Sequence, residues 1–452
     1  MTTINPNPII KRIAVKGVCK FLTPALIGSG NDEYTDSDII RDSAGNPFVP
    51  GSAVAGILRS YLHSNIPDKD HEYSIFGNGN ETSPLWVYDS ELENCNTVEL
   101  DGVALNSEFK TAERGAKYDY EAVDTGATFT IRLLLNIRKK DKEKGYEDKL
   151  EELVYILKSC NLALGAKSNR GFGRFICENP TGKEFDFYKD KTTALDAWIS
   201  FDWHDDQKWD DAKCKAFADP CHLMSIDLKL DGSIMIRDYK NIFANSSSKE
   251  TLPDYRHITS GRKPVIFGTS WAGAFRSGLL KLLGNAYKDK ADTYINKVFG
   301  QKIIIGSKDN PDITVSEVSF GASFLKQNGG TDSADKEIGH RSITRVKIDR
   351  FTGGAANSAL FVEEPWFGGI TTLEIKYPKN REDIKELLFL GICGIEHGLI
   401  QIGGEAAVGR GFFNVTDVKI DGKSVIDKVN LAKPELKSAI SNMGEDKSSV
   451  RG

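Results

Sequence analysis

A ten-residue pattern occurs twice in this chain, and a repeat of that length restricts the fold to one built from two related halves. Gly51-Ser52-Ala53-Val54-Ala55-Gly56-Ile57-Leu58-Arg59-Ser60 returns as Gly268-Thr269-Ser270-Trp271-Ala272-Gly273-Ala274-Phe275-Arg276-Ser277, with small, apolar and Arg positions in the same places. Each copy follows a turn and an apolar, β-rich run, Phe48-Val49-Pro50 or Val265-Ile266-Phe267, and each opens an amphipathic helix. Ser52, Thr269 and Ser270 stand where a hydroxyl can cap free N–H groups. Those N–H groups and the helix dipole together favour an anion such as phosphate. Arg59 and Arg276, a turn or two further on, can fork onto the same group. A packed helix with a surface arginine would look alike in one copy, so the weight falls on what else is repeated.

A second motif is repeated in step with the first. Gly165-Ala166-Lys167-Ser168-Asn169-Arg170-Gly171-Phe172-Gly173-Arg174-Phe175 closes the first half and Gly403-Gly404-Glu405-Ala406-Ala407-Val408-Gly409-Arg410-Gly411-Phe412-Phe413 closes the second. Both read Gly, five residues, Gly, one residue, Gly, between a helix and a β-rich run. Glycine permits positive φ and leaves backbone N–H groups open to a polyanion. Lys167, Ser168, Arg170 and Arg174 make the first loop a candidate polyanion-binding segment. The second departs from it, with Glu405 at the place of Lys167 and Val408 at that of Arg170, and leaves Arg410 as its cation.

The remaining pattern gives each half the order β, α, β, long excursion, β, α, β, the split βαβ arrangement of an α+β, ferredoxin-like (RRM-like, βαββαβ) fold. The expected elements of the first half are a strand within Ile9–Leu22, the Gly51 helix, a strand at Leu85–Asp89, a strand at Phe129–Ile137 and a helix from Tyr146 to Leu164. In the second they are a strand at Leu223–Leu230, the Gly268 helix, strands at Ile313–Phe320 and Thr371–Tyr377, and a helix from Arg381 to Leu399. The excursions at 90–128 and 321–360 read as thumb-like hairpins. Domains are expected at 9–177 and 221–432, joined by a partly helical connector at 178–220 and followed by a disordered polar tail at 433–452.

Composition narrows the classes. No apolar run approaches membrane-spanning length, and Met1-Thr2-Thr3-Ile4-Asn5-Pro6 has no basic segment followed by an apolar one, so a cytoplasmic protein without a signal peptide is expected. The cysteines number 7, an odd count without CxxC spacing, which fits a reducing compartment better than a disulfide framework. A net charge of −5 argues against wholesale binding of nucleic acid but leaves room for a local basic groove, as at Arg341, Arg345, Lys347 and Arg350. His204, Cys214, Cys221 and His222 could hold zinc, although their spacing matches no standard finger. No Walker sequence or cofactor motif supports a metabolic enzyme.

The motifs together resemble the RAMP superfamily of CRISPR-associated proteins, in particular the backbone subunits of type III (Csm/Cmr-like) effector complexes. The residues that carry the resemblance are Ile27-Gly28-Ser29-Gly30, the run Ile40-Arg41-Asp42-Ser43-Ala44-Gly45-Asn46-Pro47-Phe48-Val49-Pro50-Gly51-Ser52, the glycine-rich segment Gly165–Arg174, and Val346-Lys347-Ile348-Asp349-Arg350-Phe351-Thr352-Gly353-Gly354-Ala355 followed by Phe361-Val362-Glu363-Glu364. Covering both halves, it looks like two backbone subunits fused in one polypeptide, as in type III-D-like systems. It implies partners: a crRNA held by its phosphates, a complementary target RNA, further RAMP subunits and a large polymerase/cyclase-like subunit. The thumb, with Arg350, would interrupt the guide–target duplex and flip a nucleotide, and sequence would be read by base pairing.

The resemblance also implies a cutting residue, an Asp in the loop before the first helix, which aligns with Asp36. Asp32, Glu33, Asp36 and Asp38 form an acidic loop able to hold Mg²⁺, or Mn²⁺, with several waters. A carboxylate and a divalent ion can supply proton transfer and charge neutralisation beside a flipped nucleotide. In the second half the repeat spacing leads to Pro253, with Asp254 beside it and Arg256 and His257 close by, so Asp254 is the expected second catalytic residue. Two other readings stay open: a non-catalytic scaffold for crRNA, and a guide-processing ribonuclease based on His and Lys. Against the latter, no histidine occupies matched positions in the two halves.

Overall fold

In the computed structural model the alternation seen in Ile9–Phe21 becomes the central strand, β1, of a sheet. The structure describes residues 7–30, 35–65, 75–77, 81–105, 112–159, 162–204, 208–209, 219–238, 253–287, 289–300, 315–326, 339–426 and 438–439. It is mixed α+β and divides into two units. One comprises Met1–Val98, Tyr120–Ser168 and Phe172–Asp219; the other comprises Pro220–Gly452 with Glu99–Asp119 and Asn169–Gly171.

Along the chain β1 is followed by α1 (Gly51–Asn65), β2 (Leu85–Val87), β3 (Ser90–Glu93), β4 (Thr97–Leu105), β5 (Ala112–Val123), β6 (Thr128–Arg138), α2 (Tyr146–Lys158), β7 (Phe175–Asp186) and α3 (Lys191–Ile199), all in the first unit except the Glu99–Asp119 part of β4 and β5. The sheet runs β3–β6–β1–β7, with β2 also on β6, and all these pairings are antiparallel. Period-two alternation puts Ile13, Val15, Cys19 and Phe21 on one face, where Val54 and Leu58 of α1 and Leu150, Leu153, Val154 and Leu157 of α2 cover them. Burying each such side chain contributes about 1.5–3 kcal/mol. The opposite face is also apolar: Ala14, Leu134 and Phe185 lie under Trp198, Phe201 and Trp203, and the Arg12 guanidinium sits 4.3 Å from the Trp198 ring centre. Trp198 and Trp203 of the connector therefore close a sheet face. The 90–128 excursion contains a two-stranded ribbon, β4 with β5.

The second unit repeats the plan with β8 (Cys221–Asp231), β9 (Tyr255–His257), α4 (Gly268–Tyr287), α5 (Asp289–Phe299), β10 (Ser319–Phe320), β11 (Ile343–Ile348), β12 (Ala355–Glu364), β13 (Ile370–Pro378), α6 (Glu382–Glu396) and β14 (Phe412–Ile420). Its sheet runs β10–β13–β8–β14, again antiparallel. Met224, Ile226, Leu228 and Leu230 pack against Trp271, Phe275, Leu387, Leu388 and Ile392. The other face is solvated and ionic, with Lys419 of β14 at 2.7 Å from Asp227 of β8. The 321–360 excursion contains the β11–β12 hairpin.

Several boundaries differ from the sequence expectation. The helix begun at Tyr146 ends at Lys158 instead of Leu164, because the Ser159 N–H and hydroxyl both bond to the Ile156 carbonyl and close the last turn. Leu162–Leu164 already belong to the glycine loop. The strand expected at Ile313–Phe320 is confined to Ser319–Phe320 among the described residues. The helix placed at Arg381–Leu399 stops at Glu396, and Gly398 turns the chain with φ +65°. Within the polar tail, Ser438 and Ala439 donate their N–H groups to Glu386 at 2.8 and 2.9 Å, and Ala439 is buried, so this short piece packs where disorder was expected. His257, named beside Asp254, is fully buried, and its Nδ1 accepts the Ile236 N–H at 3.1 Å.

The two glycine loops share one backbone course. Gly165, Lys167, Gly171 and Gly173 have φ of +92°, +56°, +80° and +71°; Gly403, Glu405, Gly409 and Gly411 have +85°, +66°, +83° and +78°. Leu164 N–H bonds to the Gly173 carbonyl and Ile402 N–H to that of Gly411, both at 2.9 Å. Ala166 and Gly404 donate to Leu26 and Met235, and Gly173 and Gly411 to Pro24 and Ser233. A Cβ on Gly173 would lie 1.9 Å from the Leu164 oxygen, and one on Gly411 2.1 Å from that of Ile402.

Gly173→Ala and Gly411→Ala should each destabilise their unit by about 2 kcal/mol or more, the left-handed backbone penalty plus the clash. Gly126→Ala, at φ +100° with no atom within 4 Å of its Cβ, should incur the backbone part alone; denaturant melts compare the three. Burial holds the His257 imidazole neutral, with its pKa lowered to about 3. The unfolded chain therefore binds the extra proton first. The native state loses stability as pH falls from the unfolded value of about 6.5 toward about 3, approaching about 1.4 kcal/mol per pH unit. Urea melts across that window should show this acid loss in the wild type and its reduction in His257→Gln.

Candidate nucleic-acid interface

Three segments of the first unit converge before α1. The turn at 23–41 pairs with the base of the β4–β5 ribbon through the Ala25–Val123 bridge, with the glycine loop through Leu26–Ala166, and with itself through Gly28–Ile39. Glu121 N–H donates to the Ser37 carbonyl at 3.0 Å, tying the ribbon to the acidic loop. Asp38 is buried; its Oδ1 accepts the Thr35 N–H and hydroxyl at 2.9 and 2.8 Å, which makes it the staple of the loop. Asp36, two residues away, is exposed on that staple. Asp32 and Glu33 lie outside the described residues. Arg41 pairs with Glu121 and donates to the Gly45 carbonyl at 3.0 Å.

The glycine loop brings its cations to different surroundings. Lys167 lies half-buried with its ammonium 3.4 Å from the Tyr120 ring centre, and burial lowers its pKa to about 8. Ser168 is exposed. Arg174 is half-buried and donates its backbone N–H to the Thr23 hydroxyl at 3.0 Å. Arg170 falls within the second unit, where it donates to the Phe299 carbonyl at 2.9 Å, and burial lowers its pKa. At α1, Ser52 and Arg59 are exposed, but the Gly51 N–H is taken by Asp89 Oδ1 at 2.7 Å. The chain's own carboxylate thus stands at the helix start where an outside anion was expected.

In the second unit Asp254 is exposed but engaged: its N–H donates to the Val362 carbonyl and its Oδ2 accepts the Val362 N–H, both at 2.8 Å. This contact clips Asp254 to β12, beside the parallel pairing of Tyr255 with Glu363. Glu363 is 0% and Arg410 3% exposed. Arg410 is held by Glu363 and Glu405, Arg345 lies 2.9 Å from Glu363, Arg237 lies 2.8 Å from Glu405, and the Tyr255 hydroxyl donates to Glu363 at 3.1 Å. Arg410, expected to face a phosphate, is instead enclosed by carboxylates that must have it, since an unpaired buried charge is costly. Arg276 bonds to the Gly300 carbonyl at 3.0 Å and to Asn296; Thr269 is exposed and Ser270 half-buried.

The β11–β12 hairpin ends in a preformed tip. Asp349 Oδ1 accepts N–H groups from Phe351 and Thr352 at 3.0 and 2.8 Å, and these bonds lower its pKa. Arg350 and Phe351 project from it, the phenyl ring 100% exposed.

Sequence reasoning missed Tyr120, Glu121, Arg237, Arg345, Glu363 and Glu405 as organisers. One signal was present: an acidic residue replaces Lys167 in the loop that keeps Arg410. Among the described residues no three metal-ligating side chains are grouped. Of the zinc candidates, His204 is exposed, His222 bonds through Nδ1 to Asp421 at 2.6 Å, Cys221 pairs in register with Pro378, and Cys214 lies outside the described residues. No described helix is long and apolar enough to cross a membrane.

Comparison with known proteins gives a family. The RAMP superfamily matches over residues 18–176 and 233–414. No curated protein matches. A chain from a cryo-EM structure of the type III-B Cmr-beta complex bound to cognate target RNA aligns at 23% identity with a TM-score of 0.31, over 38% of this chain and 61% of that one. The two family segments take in both glycine loops and both repeated helices, and the chain belongs to the RAMP superfamily.

Proposed function

We propose that this chain is a backbone subunit of a type III CRISPR effector complex, two ferredoxin-like RAMP domains fused as in type III-D-like systems. It binds crRNA and cleaves complementary target RNA. The strand order, with the first strand between the third and fourth and all pairings antiparallel, supports the ferredoxin-like assignment in each unit. The observation that carries the function is the convergence at Asp36: an exposed carboxylate on a stapled loop, next to a hairpin base and a loop bearing Lys167 and Arg174. Lys167, Ser168 and Arg174 hold guide phosphates and the hairpins unstack a target nucleotide; the freed 2′-hydroxyl then attacks the adjacent phosphorus while Asp36 takes its proton, the bond to the 5′-oxygen of the next nucleotide breaks, and that oxygen leaves with a proton from water, giving a 2′,3′-cyclic phosphate and a 5′-hydroxyl. Mg²⁺ or Mn²⁺ would be held by Asp36 together with RNA phosphates and waters, the usual habit of a hard ion with one or two carboxylates, and supplies charge neutralisation there. Partners are the crRNA, the target RNA, further RAMP subunits and a polymerase/cyclase-like subunit.

For the second half a scaffold reading is favoured by a specific observation. Asp254 accepts a backbone N–H from the hairpin, and Arg410 is closed off by Glu363 and Glu405. Asp254 remains the candidate for a second cut.

The test uses the complex assembled with its guide, a labelled complementary RNA and Mg²⁺, with EDTA as control. Asp36→Ala should abolish one discrete cut, at least about a hundredfold, with guide binding kept, as for loss of a proton acceptor. Asp254→Ala should remove a second cut if that half is catalytic and change no product if it is a scaffold. Wild type that binds target yet leaves it uncut would overturn the nuclease reading. Lys167→Ala with Arg174→Ala should weaken guide binding and flatten the salt dependence by about 0.7 in log–log slope per lost phosphate contact.

A further inference from the structure

Two thiols face each other in the core of the first unit. Cys19 on β1 stands in direct register with Cys177 on β7, and the two are 0% and 2% exposed. The Leu22 N–H bonds to the Arg174 carbonyl at 2.8 Å, which marks a hydrogen-bonded pair. Counting back three places, the alternation of an antiparallel ladder makes Cys19–Cys177 a non-hydrogen-bonded pair, whose Cα atoms typically lie about 4.5 Å apart. That separation lies within the range a disulfide spans. Gly17 makes the room: a Cβ there would lie 2.3 Å from Cys177 Sγ, and the register slips between Lys16 and Val18 beside it. Both thiols are free.

We propose that Cys19 and Cys177 form an oxidisable dithiol that closes to a cross-strand disulfide when the protein meets a hydroperoxide. A hydrogen bond from Cys19 lowers the pKa of Cys177, whereas burial raises that of Cys19; in the proposed step Cys177 is the attacking thiolate. Its thiolate attacks the terminal peroxide oxygen, the O–O bond breaks, and the alkoxide or hydroxide takes a proton to leave as alcohol or water. Cys177 is then a sulfenic acid. Cys19 Sγ attacks the Cys177 sulfur, the S–O bond breaks, and water leaves with the Cys19 proton. The two thiols lose two electrons and the peroxide gains them.

The position gives the bond a consequence. Two residues beyond the pair, Phe21 lies opposite Phe175, and the chain then passes into the Leu22–Arg174 and Gly173–Pro24 hydrogen bonds that anchor the glycine loop. A disulfide there fastens the root of the loop carrying Lys167 and Arg174. The chemistry is independent of what that loop binds.

The experiment exposes the folded full-length chain to hydrogen peroxide, then denatures, alkylates and digests it with trypsin. Residues 17–20 and 175–183 should appear as one cross-linked species, two hydrogens lighter than the sum of the free peptides and released by a reductant. Cys19→Ser should abolish the species and leave a Cys177 sulfenic acid that a dimedone probe captures. Recovery of both wild-type peptides fully alkylated, under conditions that oxidise the partly exposed Cys95 and Cys221, would overturn the proposal and make the pair inert core packing.

Discussion

The hydrogen bonds that close each glycine loop on itself are the constraint on which the rest of each unit depends. Leu164 N–H to Gly173, with Gly173 N–H passing on to Pro24, joins the end of the helical layer to the end of β1 at one point. A glycine is required there because the Leu164 carbonyl occupies the place of a side chain. With that knot tied, β7 is delivered antiparallel to β1, the turn after β1 is pinned through Leu26, and the acidic loop follows from it. The second unit uses the same bonds at Ile402, Gly411 and Ser233.

Identical backbones carry opposite chemistry. The left-handed position two residues after the first glycine holds Lys167 in one loop and Glu405 in the other. Lys167 turns to the Tyr120 ring, where a cation gains from the π face. Glu405 turns to Arg410, Arg237 and Tyr255 and completes a buried cluster. Burying two carboxylates is tolerable only because Arg410 and Arg345 lie between them, since desolvation of each ion costs several kcal/mol that the pairing must offset. A loop that uses its cations to neutralise its own hairpin has fewer to offer a phosphate.

Much of this was legible in the sequence because it rests on local rules. Alternation located β1, β-rich apolar runs located β6, β8 and β13, and the matched glycine spacing located both loops, since positive φ at fixed intervals leaves a compositional mark. The helix end at Ser159 was missed because apolar residues continue past it, and periodicity cannot distinguish a helix's last turn from a loop packed into the same core. The burial of His257 was not legible because a neutral imidazole deep in a core carries no sign in a sequence of mixed polarity. The cluster around Glu363 was invisible for a further reason. Whether that carboxylate coordinates, caps or pairs depends on Tyr255 of β9, Arg345 of β11 and Arg410 of the glycine loop, which the chain brings together only on folding.

The difference between the sheet faces follows from the same comparison. In the first unit the face away from the helices is apolar, and α3 with Trp198, Phe201 and Trp203 covers it, so the stretch after β7 has a task fixed by hydrophobic burial. In the second unit the corresponding strands place Asp227, Thr372 and Lys419 on that face, joined by hydrogen bonds at 2.6 and 2.7 Å. Charged side chains that satisfy one another in water need no cover. The two halves therefore differ most where the repeated backbone imposes least. The backbone knots and helix-facing positions are held by packing and φ, while the outer face and the central loop residue differ between the units.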